Sequence, residues 1–80
     1  MQVRIRLFAM MAQFAGTGQC ALDLPQGATL SVVPLRLKEM FRGLPWPPGT
    51  MLAVNQEYAT PERVLAANDE IAVIPPVSGG

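Results

Sequence analysis

Histidine is absent from this 80-residue chain, and cysteine occurs once, at Cys20. These scarcities exclude a disulfide framework, a Cys/His metal site and any acid–base or triad mechanism that runs through an imidazole. Charge is scarce as well. Six basic and six acidic side chains cancel, and charged residues make up only 15% of the chain, so neither nucleic acid nor an anionic membrane is expected as a partner. No apolar run approaches the roughly 20 residues of a membrane span, and Met1 leads into a strand pattern rather than a signal peptide. A cytoplasmic location is expected. What the chain does have is apolar residues, half of the total, as one small domain needs when folding buries only roughly 60% of the unfolded surface.

The apolar residues fall into two periods. Val3, Ile5 and Leu7 alternate with Arg4, Arg6 and Phe8, which marks a strand with one buried face. "AMMAQFAGTG" puts Met10 or Met11 at helical spacing from Phe14 and closes on Gly16 and Gly18, so a short helical turn is predicted there. In "QCALDL", Cys20, Leu22 and Leu24 share a face opposite Ala21 and Asp23, and Cys20 is expected to act as a small core residue. The main helix is expected between Ser31, at or near its N-cap, and Gly43, just past its end, with Val33, Leu37, Met40, Phe41 and Leu44 forming the apolar stripe. Pro34 fits only within the first turn, where amide groups have no helical partner to lose.

"LPWPPGT" reads as a rigid loop with Trp46 covering one end of the core, and "MLAVN" as a third strand. A turn at Gln56–Glu57 and a short strand in "YAT" are expected next. "PERVLAANDE" is predicted to contain a helical turn, then a turn at Asn68–Asp69 that needs a residue tolerant of positive φ. In the last strand, "EIAVI", Ile71 and Val73 face the core while Ala72 and Ile74 face outward. One long helix across one face of a mixed sheet of four to five strands is an α+β solution. Residues 1–74 form the domain and residues 75–80, "PPVSGG", an extended tail.

The tail is unusual in composition. Pro75 and Pro76 have fixed φ and no amide donors, so they end strand pairing and project the last four residues as a stiff arm. Gly79 and Gly80 have no Cβ and would fit a narrow channel. Six extended residues reach about 20 Å, enough to thread into another protein.

"LFAMMAQFAGT" after the first strand, "AVNQ" in the third and "NDEIAVIPPVSGG" at the end together resemble the small subunits of molybdopterin synthase, a family of ubiquitin-like sulfur carriers. The resemblance covers nearly the whole chain, with two departures: Asn68 stands where the family usually has Gly, and Pro34 enters the helix early. It implies a β-grasp fold whose first and last strands lie parallel, bringing Phe8 beside Ile74 at the root of the tail. It also implies that a ubiquitin-activating-like adenylyltransferase uses ATP to adenylate the Gly80 carboxylate, and that sulfur then replaces the adenylate to leave a thiocarboxylate. Pro75, Pro76, Val77, Ser78 and Gly79 would carry that group into the active site of the large subunit, where cyclic pyranopterin monophosphate becomes molybdopterin. Phe8 and Ile74 would form the docking patch. The chain would then be the non-catalytic small subunit of a heterotetrameric sulfurtransferase and would bind no cofactor or metal itself. A carrier for thiamine thiazole or another cofactor, and a modifier conjugated to lysines, are the alternatives.

Overall fold

The computed structural model describes residues 1–77. Its elements are β1 (Gln2–Leu7), α1 (Ala9–Ala15), β2 (Gln19–Asp23), α2 (Val32–Met40), β3 (Met51–Val54), β4 (Glu57–Tyr58) and β5 (Glu70–Ile74). The five strands make one mixed sheet in the order β2-β1-β5-β3-β4. The first and last strands lie side by side and parallel near its centre, with Ile5 opposite Ile71 and Leu7 opposite Val73. β2 pairs antiparallel with β1, and β3 antiparallel with β5. This is the β-grasp arrangement.

Alternation decides which side of the sheet each residue serves. Val3, Ile5, Leu7, Ile71 and Val73 are buried on one side, in one cluster with Met11 of α1 and with Val33 and Leu37 of α2. Both helices therefore cover the same face. The expected turn after β1 is a seven-residue helix, in which Met11 is fully buried while Ala12 and Ala15 pack partly buried against the core. Phe14 is exposed and lies over Gly43, where an added Cβ would come within 3.3 Å of the ring. Cys20 and Trp46 are partly buried and pack against the core, and Leu44 is buried in it.

α2 starts as expected, with Pro34 as its third residue, but Ser31 is not a side-chain cap. Ser31 already has helical angles, and its hydroxyl shares a 2.7 Å hydrogen bond with that of Thr29. The first amides are served instead by a tight turn, Val32 and Val33 donating to the carbonyls of Thr29 and Leu30. At the other end Phe41 is the cap, Met40 is exposed, and Gly43 takes its left-handed φ of 84° two residues further on.

Two turns differ from expectation. The β3–β4 turn is at Asn55–Gln56, both with positive φ, rather than Gln56–Glu57, so β4 begins one residue earlier. The helical turn expected in "PERVLAANDE" is instead a β-turn followed by extended chain, with a bridge from Val64 to Thr29. Leu30 donates to the Arg63 carbonyl and Leu65 to that of Ala28, so the extended form satisfies both segments while burying Leu65. Asn68 does take a positive φ, 67°.

Candidate functional site

The side of the sheet away from the helices is built in rows. Arg4 opposes Glu70, whose carbonyl accepts from the Asn55 amide at 2.7 Å. One step along, Arg6, Ala72, Ala53 and Tyr58 stand in register across four strands. One step further Ile74 opposes Met51, and Phe8 continues β1 towards them. The face thus grades from polar at one end to apolar at the other, and the apolar end is where the chain leaves the sheet.

The middle row shapes the surface. Ala53 and Ala72 are too small to rise between Arg6 and Tyr58, which leaves an open groove of about 840 Å³. Phe8, Ala9, Ile74, Pro75, Pro76 and Val77 also line it. Phe8 is 41% exposed, Met51 49% and Tyr58 66%, so this end offers large apolar side chains to solvent. Such an exposed apolar patch on a small domain marks an interaction site. The Arg6 guanidinium stacks 5.9 Å from the Phe8 ring centroid and adds a positive charge to the rim.

Phe8 owes its position to a sharp junction. It is the extended residue between β1 and α1 (φ −130°, ψ 157°), and its carbonyl accepts from the Met11 and Ala12 amides at 3.1 and 3.4 Å. The chain turns at Ala9, whose φ of 50° lies in the left-handed region. That conformation costs an alanine roughly 1–2 kcal/mol, offset by the packing of Met11 behind it.

Phe8, Ile74, Pro75, Pro76 and Val77 are site residues expected from the sequence, and the structure brings these five together at one end of the groove. Ser78, Gly79 and Gly80 lie outside the described residues. Arg6, Met51, Ala53, Tyr58 and Ala72 were not anticipated as site residues. The available signal was the hairpin: placing its turn at Asn55–Gln56 puts Tyr58 opposite Ala53, whereas a turn one residue later puts it opposite Asn55, at the polar end of the same face. Burial pushes the Cys20 thiol's pKa up, which lowers its thiolate fraction. Among the described residues, no three His, Cys, Asp or Glu side chains are grouped to hold a metal ion.

Residues 5–80 match the ThiS family model. A molybdopterin synthase sulfur carrier subunit from Dictyostelium discoideum is 39% identical over 83 residues, an alignment covering 99% of this chain and 96% of the relative. Among solved structures, SAMP1 from Haloferax volcanii superposes with a TM-score of 0.86 at 27% identity, covering 100% of both chains. A chain from the complex of subunits 1 and 2 of molybdopterin-converting factor from Helicobacter pylori 26695 matches with a TM-score of 0.72 over 100% of both chains; at 24% identity that likeness is one of fold.

Proposed function

This chain belongs to the ThiS family, and on that premise we propose that it is a sulfur carrier of molybdenum cofactor synthesis, bearing the transferable sulfur as a thiocarboxylate on Gly80. The observation that carries the reading is the meeting of two features at one edge. The parallel β1–β5 pair releases the tail at Ile74, beside the exposed apolar end of the outer face. A partner that docks on Phe8, Ile74, Met51 and Tyr58 therefore receives the tail at the border of its own contact surface.

The chemistry needs nothing from this chain beyond its terminal carboxylate. A carboxylate oxygen attacks the α-phosphate of ATP, pyrophosphate leaves, and the resulting acyl-adenylate has AMP as a good leaving group. Sulfur at the sulfide level displaces AMP and gives the thiocarboxylate, whose sulfur is a competent nucleophile. Transfer to cyclic pyranopterin monophosphate, followed by hydrolysis, returns the carboxylate. A dithiolene contains two sulfurs, so two loaded carriers are consumed for each molybdopterin formed. The large subunit supplies the pterin pocket and catalytic side chains, and the two partners, adenylyltransferase and large subunit, use the same apolar face in turn.

The test is intact mass after incubation with a ubiquitin-activating-like enzyme, ATP and a sulfur donor, followed by pterin conversion with the large subunit. A gain of about 16 Da on the free carrier is expected, sulfur replacing oxygen. One residue appended after Gly80 should abolish both the gain and the conversion. Conversion that survives the extension overturns the assignment to Gly80, and a ladder of lysine conjugates in place of the mass gain would favour the modifier reading.

A further inference from the structure

We propose that the two-alanine floor of the outer groove and the Arg6 guanidinium at its end form a socket for the large subunit, which fills it with an apolar side chain and sets a carboxylate against Arg6. The proposal deepens the carrier reading above and rests on it for the identity of the partner. Ala72 of β5 and Ala53 of β3 are paired neighbours, standing between Arg6 of β1 and Tyr58 of β4. Alanine is depleted in strands, where β-branched and aromatic residues pack better, so a pair of them in the interior of a sheet is not explained by strand stability. What they supply is depth. The groove is open to solvent and would leave much of a small molecule in water, whereas a side chain projecting from a docked surface closes it from above.

The charge of the socket follows from the register. Arg6 and Glu70 are the charged residues that line it. Glu70 stands opposite Arg4 across the β1–β5 pair, so its charge is met within the face. Arg6 has no carboxylate opposite it in register: Gln19 stands on one side and Ala72 on the other, and its guanidinium lies over the Phe8 ring, 5.9 Å from the centroid. A stacked guanidinium keeps its N–H groups in its own plane, where an incoming carboxylate can take two of them. A partner that covers the apolar end excludes water there and strengthens that pair.

The test measures binding of unloaded carriers to the large subunit by calorimetry, with urea unfolding beside it, and so needs no sulfur chemistry. Ala72→Leu should weaken binding about 30-fold by filling the floor. Ala72→Val, which suits a strand better, should weaken it about 10-fold while leaving the urea midpoint unchanged or raised. Ala21→Leu is the control: Ala21 stands opposite Arg4 on the same face but outside the groove, and this variant should bind as the wild type does. Arg6→Gln should cost about 5-fold at low salt and flatten the fall of affinity with salt, while Arg6→Lys keeps that slope. Wild-type affinity in a folded Ala72→Val variant, or an equal loss in Ala21→Leu, overturns the socket. An unchanged salt slope in Arg6→Gln overturns the carboxylate. If the wild-type chain accepts no sulfur while the Ala72 variants lose affinity as expected, the carrier reading falls and the socket stands.

Discussion

The two faces of the sheet are made by the same strands and the same alternation, yet they solve different problems. On the inner face Val3, Ile5, Ile71 and Val73 are fully buried against two helices. On the outer face the intervening residues run from Arg4, Glu70 and Asn55 at one end to Phe8, Ile74 and Met51 at the other, where Phe8 and Met51 stay 41% and 49% exposed. The inner face holds the fold together by removing apolar area from water. The outer face leaves comparable side chains in water at the point where the tail departs. A fold with a saturated core can keep such a patch without risk to its own packing, and the patch remains for a partner.

The largest expected effect falls on the inner face. Ile71→Ala should destabilise the protein by about 2–5 kcal/mol, read from urea unfolding, because a fully buried isoleucine leaves a cavity in a packed cluster. The fraction that remains folded should bind the large subunit normally; weakened binding by that fraction would mean that the two faces are not independent. Phe8→Ala should do the reverse, weakening large-subunit binding by about 1–3 kcal/mol in calorimetry while shifting stability by under about 1 kcal/mol. Unchanged affinity with a native fold removes Phe8 from the interface.

Between the faces lies the junction at Ala9. Ala9→Gly should stabilise the chain by up to about 1 kcal/mol, since glycine takes a φ of 50° without the Cβ penalty and loses part of that gain to its freer unfolded state. Destabilisation instead would show that the Ala9 methyl packs in the native junction. The smallest effect is expected at Cys20. Cys20→Ala should leave the sulfur-dependent mass gain intact, and loss of that gain would move the sulfur site to the thiol. Burial raises the folded thiol's pKa, so the unfolded chain sheds that proton first as pH rises. The contribution from Cys20 is present below the unfolded value and is lost on the way up through the folded one. Cys20→Ala should flatten that alkaline decline in urea midpoints, and an unchanged decline would assign it to another group.

Much of the fold was legible in local pattern. Strict alternation in "VRIRL" and "EIAVI" separates buried from exposed positions, because strand side chains alternate and one face must exclude water. Pro34 was placeable because proline is tolerated only in the first turn. The segment around Val64 was not legible, since its extended form depends on carbonyls and amides of residues 28–30, more than 30 positions away. Half of the outer face was hidden for a related reason. Tyr58 and Ala53 carry no functional signature of their own, and a turn read one residue late pairs Tyr58 with Asn55, at the polar end of the face, instead of with Ala53 in the middle row.

By itself, the sequence determined the inward and outward sets of the first, second and last strands, the position of the main helix and a tail of two prolines and a Ser-Gly-Gly end. Those properties arise from neighbours within a few residues: side-chain period, proline's missing amide and glycine's missing Cβ. Only the tertiary structure decided that β1 lies parallel to β5 and β3 antiparallel to it, which brings Phe8, just past β1, together with Ile74, Met51 and Tyr58 of β5, β3 and β4 near the root of the tail. Backbone pairing of distant strands sets that register, and no window of the chain contains both partners.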